Sequence, residues 1–232
     1  MSERDRTMPV YHKHLTQIAC WLSVCLMLTT AGGCSLFVMA GKSILGDPVI
    51  TSPFSRASNV DLRTGEHRVV IVASTPETIK AEFPAATVDL IEKVSRKLKS
   101  EGVNVINYNQ VATWLDDNGG YWDEVDELAN AFDTEYIIHL EIDSMRLKQP
   151  GSPDMFEGRV SGTVYGYEVR QSGNSKVAHR IFNHSFERKY PDGYPQLADR
   201  MSRDEFHRDL MEHVSLALAH KLYDHHSSEE IY

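Results

Sequence analysis

Arg68-Val69-Val70-Ile71-Val72-Ala73-Ser74 is the stretch that decides the fold. A continuous apolar run, without alternation, is the pattern of a central strand covered on both faces. A helix follows. From Pro84 to Glu101 the apolar residues Val88, Ile91, Val94 and Leu98 recur at three and four, with Pro84 suited to the first turn and Gly102 just past the end. Val103-Asn104-Val105-Ile106-Asn107-Tyr108 is rich in β-formers, so strand, helix and strand make a right-handed parallel unit.

Downstream, Asn109 is placed to cap a short helix through Leu115, which Asp116-Asp117-Asn118-Gly119-Gly120 breaks. Asp123 to Phe132 carries Val125, Leu128, Ala129 and Phe132 on one helical face. Three alternating segments come next. In Tyr136 to Leu147, the residues Tyr136, Ile138, Leu140 and Ile142 oppose His139, Glu141 and Asp143. The second segment runs from Phe156 to Arg170, and Ser172-Gly173-Asn174-Ser175 turns the chain into a third, from Lys176 to about Glu187. Tyr190 to Met201 reads as a surface loop. Arg203 to Tyr223 reads as a closing helix with Phe206, Leu210, Val214, Ala217 and Leu218 inward. The expected fold is α/β (α+β), a mixed five-stranded sheet with element order β-α-β-α-α-β-β-β-α.

Ahead of this domain, Ile18 to Cys34 is an apolar run that stops at Ala31-Gly32-Gly33-Cys34, preceded by Arg4, Arg6 and Lys13. It is too short to span a bilayer and reads as an export signal. The ending resembles the lipobox of bacterial lipoproteins, in which the cysteine receives the lipid, although leucine is commoner where Ala31 stands. The expected division is a signal peptide over 1–33, a lipidated tether over 34–66, one domain over 67–226 and a tail over 227–232. Cys20 and Cys25 fall inside the signal, so the mature chain has no other thiol than Cys34. Disulfide stapling, thiol catalysis and cysteine-ligated zinc are thereby excluded. The full chain has 24 Lys and Arg against 33 Asp and Glu, and removal of 1–33 leaves 21 against 31. That acidic balance argues against nucleic acid and anionic lipid as partners, and leaves the lipid on Cys34 as the membrane anchor. Ser35 after the cysteine favours the outer membrane, on the periplasmic side of the envelope.

The order of elements, together with Leu128-Ala129-Asn130-Ala131-Phe132-Asp133-Thr134-Glu135-Tyr136-Ile137-Ile138-His139-Leu140-Glu141-Ile142, resembles the α/β domain of the curli-secretion lipoprotein and the amino-terminal domain of the Tol-Pal translocation protein. It is similar as well to an uncharacterised group of bacterial envelope lipoproteins. The resemblance covers roughly Arg68 to Tyr223 and implies an envelope assembly or scaffold role without catalysis. Glu135 stands where those relatives usually have aspartate. The curli pore's long membrane hairpins have no counterpart here, which argues against a pore.

Several side-chain groups invite chemistry, and each has a plainer reading. Asp116, Asn118 and Glu127 occupy calcium-loop positions, but Tyr121 stands where the loop needs glycine, so a solvated turn is the better reading. His207, His213, His220, His225 and His226 are badly spaced for one metal ion. His139, Glu141, Asp143 and His184, with Ser161 or Thr163 as nucleophile, could form an acid/base cluster, yet no glycine elbow or phosphate loop supports it. No catalytic residue, metal or cofactor is expected.

The expected partner face lies on the last two strands. With a two-residue turn at Gly173-Asn174, Tyr165 falls opposite Phe182, Tyr167 opposite Arg180 and Thr163 opposite His184, all on one face. Gly158, Gly162 and Gly166 fall on the other, where helices can approach closely. Tyr165, Tyr167, Arg180, Phe182 and His184 thus form the expected surface for envelope proteins, unless a helix covers them or a bulge exchanges the faces. The expected function is a lipid-anchored, non-catalytic structural or assembly accessory that binds proteins. A periplasmic small-ligand or peptidoglycan-associated binding domain is the alternative.

Overall fold

The structure is a computed structural model and describes residues 47–64 and 67–231. The expected signal peptide, Cys34 and the start of the tether lie outside the described residues. The chain divides into two units by contact, one spanning Val49–His225 and the other combining the stretches before and after it. In the smaller unit the Asp47 carboxylate accepts from the Ser227 hydroxyl at 2.7 Å and the Ser228 backbone N–H at 3.1 Å.

The larger unit is mixed α/β. Its elements are β1 (Val49–Ile50), α1 (Pro53–Ser58), β2 (Arg68–Ser74), α2 (Glu77–Glu82), α3 (Ala86–Ser100), β3 (Asn104–Val105), α4 (Tyr108–Asp117), α5 (Val125–Ala131), β4 (Tyr136–Gln149), β5 (Ser152–Ser172), β6 (Ser175–Tyr190), β7 (Gln196–Leu197) and α6 (Arg203–Ala219). The strand β8 (His225–His226) follows at its border. The main sheet has six strands, not five: its order is β3-β2-β4-β5-β6, and β7, inside the expected surface loop, pairs with β5.

β2 lies at the heart of the sheet, parallel to β3 on one side and to β4 on the other. Val69, Val70, Ile71 and Val72 are buried, as a strand covered on both faces requires. The meander β4-β5-β6 is antiparallel. Along β5 the residues Phe156, Gly158, Val160, Gly162, Val164 and Gly166 are all buried, which marks the face under the helices. A Cβ added to Gly158 would lie 2.7 Å from Leu210 of α6, and one added to Gly166 would lie 2.9 Å from Phe54 of α1. The small residues let both helices settle directly on the strand. On this same face Ala86 and Leu90 of α3, with Met211 and Val214 of α6, meet Ile142 and Val160.

Part of the expected tether belongs to this core. Ser52 caps α1 by accepting from the Ser55 N–H at 3.0 Å, Pro53 opens the helix, and Asn59 ends it in the left-handed region at φ 58°. Phe54 and Leu62 are fully buried, and the Phe54 N–H donates to the Lys221 carbonyl at 3.0 Å. Burial of Phe54 contributes roughly 1.5–3 kcal/mol. Residues from Val49 on thus belong to the same contact unit as the stretch expected from 67, and six helical residues show too little periodicity for pattern to reveal α1.

The long edge strand β6 is capped by α5. The Asn130 amide donates to the Lys176 carbonyl at 3.0 Å while its oxygen accepts from the Lys176 N–H at 2.9 Å, and Asp126 accepts from the Ala178 N–H at 2.7 Å. Side chains thus stand in for a neighbouring strand and blunt an edge that could pair with another chain. The helix itself starts with a reciprocal capping box between Glu124 and Glu127.

Candidate binding cleft

A one-residue shift decides which side chains the site receives. Tyr167 pairs with Arg180 as the hairpin turn dictates, but Gly166 then pairs with Phe182, Tyr165 with Asn183, Val164 with His184 and Thr163 with Ser185. Ile181 is the extra residue, and its bulge turns the rest of β6 over. The expected surface of five residues is therefore split. Tyr165, Tyr167 and Arg180 remain together, whereas Phe182 and His184 lie on the helix-covered face. Phe182 is 5% exposed and meets Phe54 edge-on at 5.5 Å. His184 stacks on Phe182 at 6.1 Å, and burial, with the charges of Lys221 and Arg56, lowers its pKa.

The three that remain line a cleft of about 470 Å³. It opens at the carboxyl ends of the parallel strands β2 and β4, where open α/β sheets generally hold their ligands. Ser74 and Thr75 come from the end of β2, His139 and Glu141 from β4, Lys80 from α2 and Thr87 from the first turn of α3. The loop from Gly120 to Asp123 forms the roof, with Trp122 half-buried and Tyr121 exposed. Gly119 and Gly120 both have positive φ, so the segment expected to be a turn and not a calcium loop swings across the sheet. Among the described residues no group of three His, Cys, Asp or Glu could hold a metal ion.

The floor is a polar pair set among rings. Nε2 of His139 and the Ser74 hydroxyl share a hydrogen bond of 2.7 Å. Trp122 meets the imidazole edge-on at 5.2 Å, and Tyr165 stacks on it at 5.8 Å. Burial lowers the His139 pKa from 6.5 to about 4, so the ring is neutral at pH 7. The Glu141 carboxylate beside the Tyr165 phenol is the leading cause of its raised pKa. The Arg180 guanidinium lies over the Tyr165 ring at 5.8 Å, and among the described residues no carboxylate forms an ion pair with it. Lys80, by contrast, is paired with Glu77 at 2.9 Å.

The acid/base cluster imagined from sequence is not assembled. His139 and Glu141 share the cleft, but Asp143 falls in the irregularity between Ile142 and Ser144, and Ser161 shares a hydrogen bond with Ser144 at 2.7 Å. Thr163 does not line the cleft, although its hydroxyl near Tyr165 acts to lower the phenol's pKa. The histidines near the chain end are dispersed. His207 stacks on Phe83, His213 lies 3.6 Å from Asp192, and His220 stacks on His225. Sequence reasoning missed Ser74, Trp122 and Tyr121. For Ser74 a signal existed, a polar residue closing a buried parallel strand.

Fold and cleft define, over Val49–His225, a mixed α/β unit with an aromatic-lined recess where the parallel pairing of β2 and β4 ends. No family model matches the chain, and no curated protein does either. Among solved structures it is similar to the PelC dodecamer from Paraburkholderia phytofirmans, at 12% identity over 76% of this chain and 96% of that one, with a TM-score of 0.38. Lipoprotein GNA1162 from Neisseria meningitidis matches at 9% identity, over 55% and 87% of the two chains, with a TM-score of 0.34. A minor lipoprotein from Acinetobacter baumannii matches at 14% identity, over 68% and 91%, with a TM-score of 0.33.

Proposed function

We propose that this chain is a lipid-anchored accessory protein of the bacterial envelope that acts by binding and not by catalysis, and that the cleft beneath Tyr121 and Trp122 is where it binds. The observation that supports the cleft is the convergence of Ser74, His139, Glu141, Tyr165 and Arg180 from four strands onto one recess of about 470 Å³, within the size range of ligand sites. Support for the anchor comes from the small-residue motif ending at Cys34, and Ser35 after it favours the outer membrane. Among the described residues the His139 ring bonds Ser74 and no carboxylate, which favours positioning over nucleophilic chemistry.

The test is photo-crosslinking in cells from a benzoylphenylalanine placed at Tyr121, an exposed position on the rim. A discrete envelope component captured there, and lost when Tyr165→Ala is added, supports the cleft. Labelling that ignores Tyr165→Ala counts against it. A protein-docking reading is favoured by a different place, the loop between β6 and α6, where Tyr194 is 92% exposed and Leu197 is 42% exposed. Crosslinks from position 194 alone would move the binding surface there.

A further inference from the structure

Charge and ring geometry narrow what the cleft can hold, on the reading that it is a binding site. A cationic ligand is disfavoured because the Arg180 guanidinium, lying over the Tyr165 ring, puts a like charge inside the cleft. An anionic ligand would face the carboxylates of Glu141 and Asp123, and Lys80 is engaged by Glu77. A purely apolar ligand would strip water from Ser74, Thr75, Thr87, Glu141 and Arg180 without replacing its hydrogen bonds. What remains is a neutral molecule carrying many hydroxyl or amide groups on a ring with C–H faces.

We infer that the cleft takes a neutral saccharide, with a sugar ring laid against the Gly120–Asp123 roof and its hydroxyls toward Glu141, Arg180 and the Tyr165 phenol. Tyr121, 66% exposed, and Trp122 supply flat apolar surface on the roof, where rings give large contact area at low entropic cost. The polar groups suit vicinal hydroxyls. Arg180 offers guanidinium donors that no carboxylate among the described residues engages in an ion pair, and the Glu141 carboxylate in the lining offers acceptors. The floor carries no charge at neutral pH, since burial keeps His139 unprotonated. Such sites pair a few oriented polar groups with aromatic walls.

The experiment is calorimetric titration of the full chain in detergent with chitotetraose, maltotetraose and cellotetraose as neutral probes, dextran sulfate as an anion, spermidine as a cation and dialanine as a zwitterion. Supporting the inference, at least one neutral tetrasaccharide binds, and Tyr165→Ala or Trp122→Ala weakens it at least tenfold with the fold retained by circular dichroism. Two results overturn the sugar while leaving the cleft as a site: binding of only a charged or zwitterionic probe that Arg180→Ala or Glu141→Gln weakens, or no probe binding while the Tyr121 crosslink still depends on Tyr165. Saccharide binding untouched by both ring variants places the sugar elsewhere and also overturns it. With no probe bound and no Tyr165-dependent crosslink, the cleft reading itself falls.

Discussion

Nε2 of His139 lies 2.7 Å from the hydroxyl of Ser74, a residue on the neighbouring parallel strand and 65 positions earlier in the chain. The pair ties β2 to β4 at the end where the cleft opens, and it does so with an imidazole that burial keeps neutral. A histidine whose folded pKa is about 4 against 6.5 gives the molecule an acid sensitivity of defined sign. Between those values the unfolded chain binds a proton that the folded chain does not, so stability falls as the pH drops through that window and is constant in this respect above it. The contribution is up to roughly 3 kcal/mol. Urea unfolding of the wild type and His139→Gln at pH 7 and pH 4.5 checks it. The acid-induced loss should be smaller in the variant, and equal losses would show that His139 contributes none of it.

Splitting of the expected partner face gives opposite outcomes for two aromatic residues that sequence placed side by side. Phe182 is in the core against Phe54, so Phe182→Ser should cost about 3–5 kcal/mol, as truncation of a buried phenylalanine generally does. Tyr165 borders the cleft, and Tyr165→Ser should cost well under half as much. Thermal melts of both variants decide this. Equal and large losses would mean that Tyr165 is core as well.

The caps on β6 predict a local effect larger than the global one. Asn130→Ala frees both backbone groups of Lys176, and Asp126→Ala frees the Ala178 N–H. Each should lower stability by about 1 kcal/mol, the ordinary worth of such hydrogen bonds. Amide exchange at Lys176 and Ala178 should accelerate markedly, with exchange in β2 unchanged. The double variant should also self-associate more readily, because an uncapped edge recruits other strands. Unchanged protection at both amides would remove the capping role.

The proposed anchoring is tested at Cys34, the one thiol that the proposed signal cleavage would leave. Cys34→Ala should abolish palmitate incorporation and either release the protein from membranes or leave the signal uncleaved. Continued labelling of that variant would place the lipid elsewhere.

Local pattern was enough for elements whose information is local. The apolar run Arg68–Ser74, the three-and-four spacing of α3 and the turn at Ser172–Ser175 are each written within a few consecutive residues; strand and turn appear where the pattern puts them, and α3 buries Ile91, Val94 and Leu98 but leaves Val88 exposed. The alternation of glycines along β5 likewise identified the face on which α1 and α6 rest. Asn107 and not Asn109 caps α4, because its side chain accepts from the Asn109 N–H, and the choice between neighbouring asparagines depends on backbone geometry.

Tertiary structure alone decided the rest, for two physical reasons. A bulge adds one residue without any signature in side-chain alternation, so Ile181 could not be recognised as the place where Phe182 and His184 pass to the other face. A cleft is built from residues remote in sequence, here Ser74, Trp122, His139, Tyr165 and Arg180, whose convergence depends on strand order and on the path of a loop over the sheet. The residues themselves determined a strand-helix-strand start and a three-stranded meander. Only their packing determined that the aromatic face would be roofed into a recess, because burial of Trp122 against His139 is a gain that exists once both strands and loop are in place.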